Sequence, residues 1–136
     1  MIATILSLMV WSSYTDQEVV TITLMGESWG ESIKGKEAVG QVILNRKKAR
    51  WRGKKSIREV CLDRFQFSSI NSMTKEKVER FKKDQINWRR CKEIAEKILK
   101  GWDVYKFKKE RLYFDNRLNK WYSGGGYEKV GKHYFW

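Results

Sequence analysis

Two glutamates, Glu27 and Glu31, stand four residues apart in the segment Met25-Gly26-Glu27-Ser28-Trp29-Gly30-Glu31. At helical spacing, side chains at i and i+4 share one face, which would bring the two carboxylates together. Like charge nearby, and apolar neighbours such as Met25 or Trp29, both raise a carboxyl pKa. A carboxyl that stays protonated near neutral pH can protonate the leaving oxygen of a glycosidic bond. Gly26, Gly30 and Gly35 let another chain approach the backbone here. On spacing alone, the plainer reading is a pair of solvated acids at a helix end, since Glu is mostly a surface residue.

Other reactive side chains are sparse. His133 is the single histidine, which removes multi-histidine metal sites. Cys61 and Cys91 supply neither a disulfide framework nor a zinc set; one bridge or two free thiols are both open. No metal and no cofactor are expected. We read both cysteines as buried apolar residues of helices.

The elements that must position Glu27 are mainly helical. Thr15 or Asp16 can cap an amphipathic helix running through Val19, Val20, Thr23 and Leu24 to Glu27. A second helix is expected over about 35–48, with Ala38, Val39, Val42, Ile43 and Arg46 at i, i+3/i+4 spacing. Ser56-Ile57-Arg58-Glu59 reads as a capping box opening a short helix. A polar turn is expected around Ser68 to Thr74. Residues 75–100 carry the clearest apolar stripe, with a break near Asp84 and Gly101 just past the end. Val104 to Phe107 and Arg111 to Phe114 alternate as strands do, and Ser123-Gly124-Gly125-Gly126 reads as a turn. The fold class is therefore α+β, mainly helical, with a small C-terminal β element.

Length and composition agree with one domain over 1–136. The chain has 136 residues, is 41% hydrophobic and holds seven Trp, enough for a real core. It has no proline, which argues against a proline-rich linker. The apolar run Ile2–Trp11, within an N-terminal segment 1–14, is too short to span a bilayer as a helix and lacks a basic flank. It reads as a core-packing segment rather than a targeting signal. The formal charge of +13 is uneven. Residues 1–45 carry two bases against five acids; the rest carry 27 bases against 11 acids. A basic body favours a polyanionic partner: nucleic acid, an anionic membrane or an anionic wall polymer.

Ordered motifs narrow that choice. Gly26-Glu27-Ser28-Trp29-Gly30-Glu31, Gly35 and Ala38-Val39-Gly40-Gln41-Val42-Ile43-Leu44-Asn45-Arg46 resemble the SleB-type cell wall hydrolase family. That family includes the spore-cortex lytic enzymes and phage endolysins. Ile57-Arg58-Glu59-Val60-Cys61 with Gln66-Phe67-Ser68 resembles its second block. Trp88 to Gly101 resembles its Trp…Ala…Leu-x-Gly helix, and Gly131-Lys132-His133-Tyr134-Phe135-Trp136 its closing motif. The blocks keep the family's order over about residues 20–136.

The resemblance implies a lysozyme-like fold and cleavage of peptidoglycan glycan strands. It maps the catalytic glutamate onto Glu27 and implies lytic transglycosylase chemistry at the bond between N-acetylmuramic acid and N-acetylglucosamine. In that reaction one carboxyl first acts as acid, then takes the proton of the muramic 6-hydroxyl as a 1,6-anhydro ring closes. The alternative is a hydrolysing muramidase, which needs a second carboxylate; Glu31 and Asp115 are the candidates. Glu31, Trp29, Gln66, Ser68, Tyr113 and Asn116 are the expected substrate-binding residues. At Tyr113-Phe114-Asp115-Asn116 the chain departs from the commoner Tyr-His form of the family. Trp29 is read as a sugar-stacking ring or a core residue. His133, Asn45 and Arg46 are read as structural, and the bases are expected to be held away from Glu27, where they would lower its pKa.

The setting that follows is a monomeric phage endolysin. It would accumulate in the host cytoplasm and act on the wall, its basic body contacting the anionic envelope, with no specific nucleic-acid partner. A competing class is a basic nucleic-acid-binding module, prompted by Lys47-Lys48-Ala49-Arg50-Trp51-Arg52-Gly53-Lys54-Lys55. Membrane disruption by the basic helix near 75–100 is a third.

Overall fold

The computed structural model describes residues 11–63, 67–118, 124 and 126–136, and of Ser68 only the backbone. The apolar run before Trp11, Gln66, and Ser123 and Gly125 of the glycine turn lie outside the described residues. Trp11 itself is buried, with its ring 5.5 Å from Tyr14.

The centre is helix α1 (Asp16–Ser28). Thr15 caps it through a full capping box with Glu18. Val19 to Met25 are all buried, so the helix has no solvent face along that stretch. This corrects the amphipathic expectation: a helix enclosed on every side belongs at a core centre. Its hydroxyls are satisfied inside the helix. Thr21 donates to the Gln17 carbonyl at 2.7 Å, Thr23 to Val19 at 2.8 Å and Ser28 to Leu24 at 2.6 Å.

Helix α2 (Ile33–Lys48) starts at Ser32, which accepts from the Gly35 amide at 3.2 Å. A 3-10 turn spans Trp51–Gly53. Helix α3 (Ile57–Cys61) opens at the Ser56 cap as expected. Helix α4 (Ser68–Asn71) occupies the start of the segment expected as a polar turn, and Thr74 then caps α5 (Lys75–Lys83). Asp84 ends α5 and caps α6 (Gln85–Leu99), which bears out the expected break. Gly101, at φ +81°, closes α6 with the Trp102 amide returning to the Lys97 carbonyl at 3.0 Å. Helices α2, α3, α4, α5 and α6 all pack on α1. The α2–α6 approach is close enough that a Cβ on Gly40 would meet the Ile94 side chain at 2.7 Å.

The β element is a three-stranded antiparallel sheet of β1 (Phe114–Asp115), β2 (Glu128–Val130) and β3 (His133–Phe135), in the order β1-β3-β2. Phe114 pairs with Phe135, and Val130 with His133. The mainly helical α+β class is therefore as expected. Residues 104–107 are not a strand. The amides of Val104 and Tyr105 donate to Oε1 of Gln41 on α2, at 2.8 and 3.1 Å, so a helix side chain replaces the strand partner. Cys61 and Cys91 are buried and free, in α3 and α6, and burial pushes both thiols up to about 12. Among the described residues, no helix is long and apolar enough to cross a membrane.

Candidate active site

Glu27 lies in the last turn of α1, half-buried. The apolar walls around α1 strip water from its carboxyl, and this desolvation raises its pKa to about 7. Two neighbours oppose the rise. The Ser69 hydroxyl on α4 and the Arg46 guanidinium on α2 each favour the charged form. Glu31 plays no part in the shift. A carboxyl balanced in this way is protonated in a large fraction near neutral pH and can give up its proton.

Burial also explains Arg46, 3% exposed, whose pKa falls to about 10 and which stays charged at neutral pH. Its Nε donates to the Leu112 carbonyl at 2.6 Å. Its guanidinium lies 4.4 Å from the Trp51 ring centre, 5.2 Å from Phe67 and 5.7 Å from Tyr113. One guanidinium nitrogen, Nη1, is buried without a hydrogen-bond partner. The expectation that bases stand clear of Glu27 is thus corrected: one base is held beside it in an aromatic cage. The anchoring expectation does hold. Arg46, and Asn45 through a 2.9 Å bond to the Arg111 carbonyl, tie α2 to the chain entering β1.

Glu31 has a different setting. Helix α1 stops at Ser28, so residues 27 and 31 are not on one helical face, contrary to the spacing argument. The Glu31 carboxylate accepts from the Lys132 amide at 3.0 Å and lies 3.5 Å from His133 Nδ1. It packs onto Gly131 in the β2–β3 turn, where φ is +59° and any side chain would collide with the carboxylate. His133 packs edge-on to Phe114 and Phe135, the structural role expected of it.

The segment between the two acids is fixed by a residue that composition counts only as a charge. Lys36, 0% exposed, donates to the carbonyls of Ser28 at 2.8 Å, Trp29 at 2.8 Å and Glu31 at 2.6 Å. It thereby caps the C-terminal end of α1 with a positive charge. Burial lowers its pKa. The only sequence clue was a lysine inside a helix-start run, Ile33-Lys34-Gly35-Lys36, which composition cannot distinguish from a surface base.

Trp29 is 56% exposed, which removes the core alternative. Its indole donates to Asp84 at 2.6 Å, fixing the ring at the rim of a groove. That groove, about 390 Å³, is walled by Met25, Gly26, Met73 and Phe81, with Ser69 at its inner end. Ser69 was missed in favour of its neighbour Ser68, of which only the backbone is described. Helix α4 can lie against α1 because Gly26 has no side chain: a Cβ there would meet Ser69 Oγ at 2.6 Å. Tyr113 stands on the far side of Arg46, accepting from Trp51 Nε1 at 3.1 Å and stacked on Trp136. Asn116 is exposed just after β1. The structure therefore gathers Glu27, Ser69 and Arg46 at one place, with Trp29 and Tyr113 on its flanks, and assigns Glu31 to the hairpin.

No curated protein and no solved structure matches the chain. A family model described as Cell Wall Hydrolase matches residues 30–136. It contains Glu31, the α2 block and the closing hairpin, and begins just after Glu27. With most of its length covered by that model, the chain belongs to the cell wall hydrolase family, whose members degrade peptidoglycan.

Proposed function

We propose that the protein is a lytic transglycosylase of lysozyme-like type in which Glu27 serves as both the catalytic acid and the base. The observation that carries this reading is the contrast in engagement: Glu27 is raised to about 7 and stands next to Ser69, a lining residue of an open groove, while Glu31 is occupied by the β2–β3 turn. Protonated Glu27 gives its proton to the glycosidic oxygen, and the bond from that oxygen to the muramic anomeric carbon breaks. The carboxylate left behind is stabilised by Arg46 and Ser69. It then takes the proton of the muramic 6-hydroxyl, whose oxygen closes on the anomeric carbon. Glu27 ends protonated and no water is consumed.

A single-unit endolysin, monomeric, made in a host cytoplasm and released onto the wall, is the setting we propose. The surplus of base after residue 45 supports electrostatic contact with an anionic envelope. Mass spectrometry of the fragments from purified peptidoglycan tests the chemistry. Fragments ending in a 1,6-anhydro sugar, lighter by one water, are expected; reducing ends would replace this reading with a hydrolysing muramidase. The rate should fall as pH rises through about 7 and Glu27 loses its proton.

A further inference from the structure

The groove beside Glu27 has features that a neutral sugar chain does not call for. Its floor is apolar, made by Met25, Met73 and Phe81. At its mouth stand Lys77 and Arg80, one turn apart on α5. Lys77 is tied to the Ser72 carbonyl at 3.1 Å. Arg80 is exposed and, among the described residues, has no hydrogen-bond or ion-pair partner. The one acid of the lining, Asp84, is already engaged by Asn87 at 2.8 Å and by the Trp29 indole at 2.6 Å. The free charge facing the groove is therefore positive. At the inner end the Ser69 hydroxyl is buried and makes no hydrogen bond of good geometry, although it lies beside the Glu27 carboxyl.

We propose that this groove receives the peptide stem of the muramic acid being cleaved, with Arg80 pairing with a stem carboxylate and the methionine floor taking its methyl groups. The proposal rests on the peptidoglycan-cleaving reading above and adds which part of the substrate is recognised. Three features carry it. The muramic sugar bears a lactyl group extended by a short peptide, which combines methyl groups with free carboxylates. An alkyl-plus-anion ligand matches an apolar floor with a guanidinium at its mouth, since guanidinium pairs with carboxylate in a two-pronged fit. Glu27 does not line the groove, but Gly26 and Ser69 do and both adjoin Glu27, so a stem lying in the groove would belong to a sugar placed at the acid. Trp29, held on the rim by Asp84, is left to stack on the sugar face itself.

The test compares glycan strands that keep their stems with the same strands after an amidase has removed them. The parent protein and R80E are assayed for kcat and KM on both. The parent is expected to prefer stem-bearing strands by at least about 10-fold in kcat/KM, roughly the worth of one charged pair at a groove. R80E should erase most of that preference through KM, with a smaller change in kcat. Arg80 is exposed, so the substitution does not threaten the core. A parent without preference, or a preference that R80E leaves intact, overturns the proposal and spares the function. Failure of the parent to cleave either strand overturns the function itself, and this inference with it.

Discussion

Glu27 and Glu31 are the same residue type four positions apart, yet the fold gives them opposite work. Glu27 is desolvated at the end of a helix that is buried all round, and its pKa rises to about 7. Glu31 lies beyond the helix end, accepts from the Lys132 amide of the β2–β3 turn and packs against Gly131. A carboxyl whose desolvation outweighs its donors stores a proton. A carboxylate engaged by a turn's backbone amide is a structural clamp. What separates the two is the turn after Ser28, held by the three carbonyl bonds of Lys36. Spacing in the chain became spacing in space only as far as the helix ran.

Substitution should widen the contrast. The largest effect is expected for E27Q, which keeps the shape but cannot donate a carboxyl proton. Lysis of purified walls should drop by roughly 10²–10⁴, the usual worth of a general acid, while E31A loses far less at temperatures where it stays folded. Equal losses in the two variants would erase the distinction. K36M comes next. It leaves three carbonyls at the end of α1 without their donor, and urea unfolding should show a loss of about 3 kcal/mol. A neutral K36M would mean that the turn holds itself.

The smallest effect is a pH-dependent one on stability. The folded pKa of Glu27 lies above its unfolded value of 4.5, so the folded state binds the extra proton. Stability from that proton is complete below 4.5 and is lost as pH rises to about 7. E27Q has no proton to lose. Its stability relative to the parent should therefore climb across that window by about 2 kcal/mol, the full shift discounted for the half-exposed, solvent-screened position of Glu27, and level off above it. Melting curves of both proteins at pH 4, 6 and 8 would show it; parallel curves would deny the shift.

Much of the fold was legible because its signals are local. Caps at Thr15, Ser56 and Asp84, and the α6 stripe ending at Gly101, depend on neighbours in the chain. Residues 104–107 misled because alternation reports a strand only when a strand partner exists, and here Gln41 took the amides. Of the candidate site, the spacing singled out Glu27, and it left Trp29 open between an exposed ring and a core residue. Arg46 and Lys36 were not read as buried charges near the site, since their burial depends on aromatic rings and carbonyls brought from elsewhere. Ser69 was not singled out, because its place beside Glu27 depends on how α4 packs against Gly26 of α1.

The central claim is that burial keeps Glu27 protonated near neutral pH. Carbon NMR of the protein labelled at its glutamate carboxyl carbons, with E27Q used to assign the signal, reads that proton directly. The account predicts a Glu27 midpoint of about 7. A midpoint near 4.5, the value of an ordinary exposed glutamate, would contradict it.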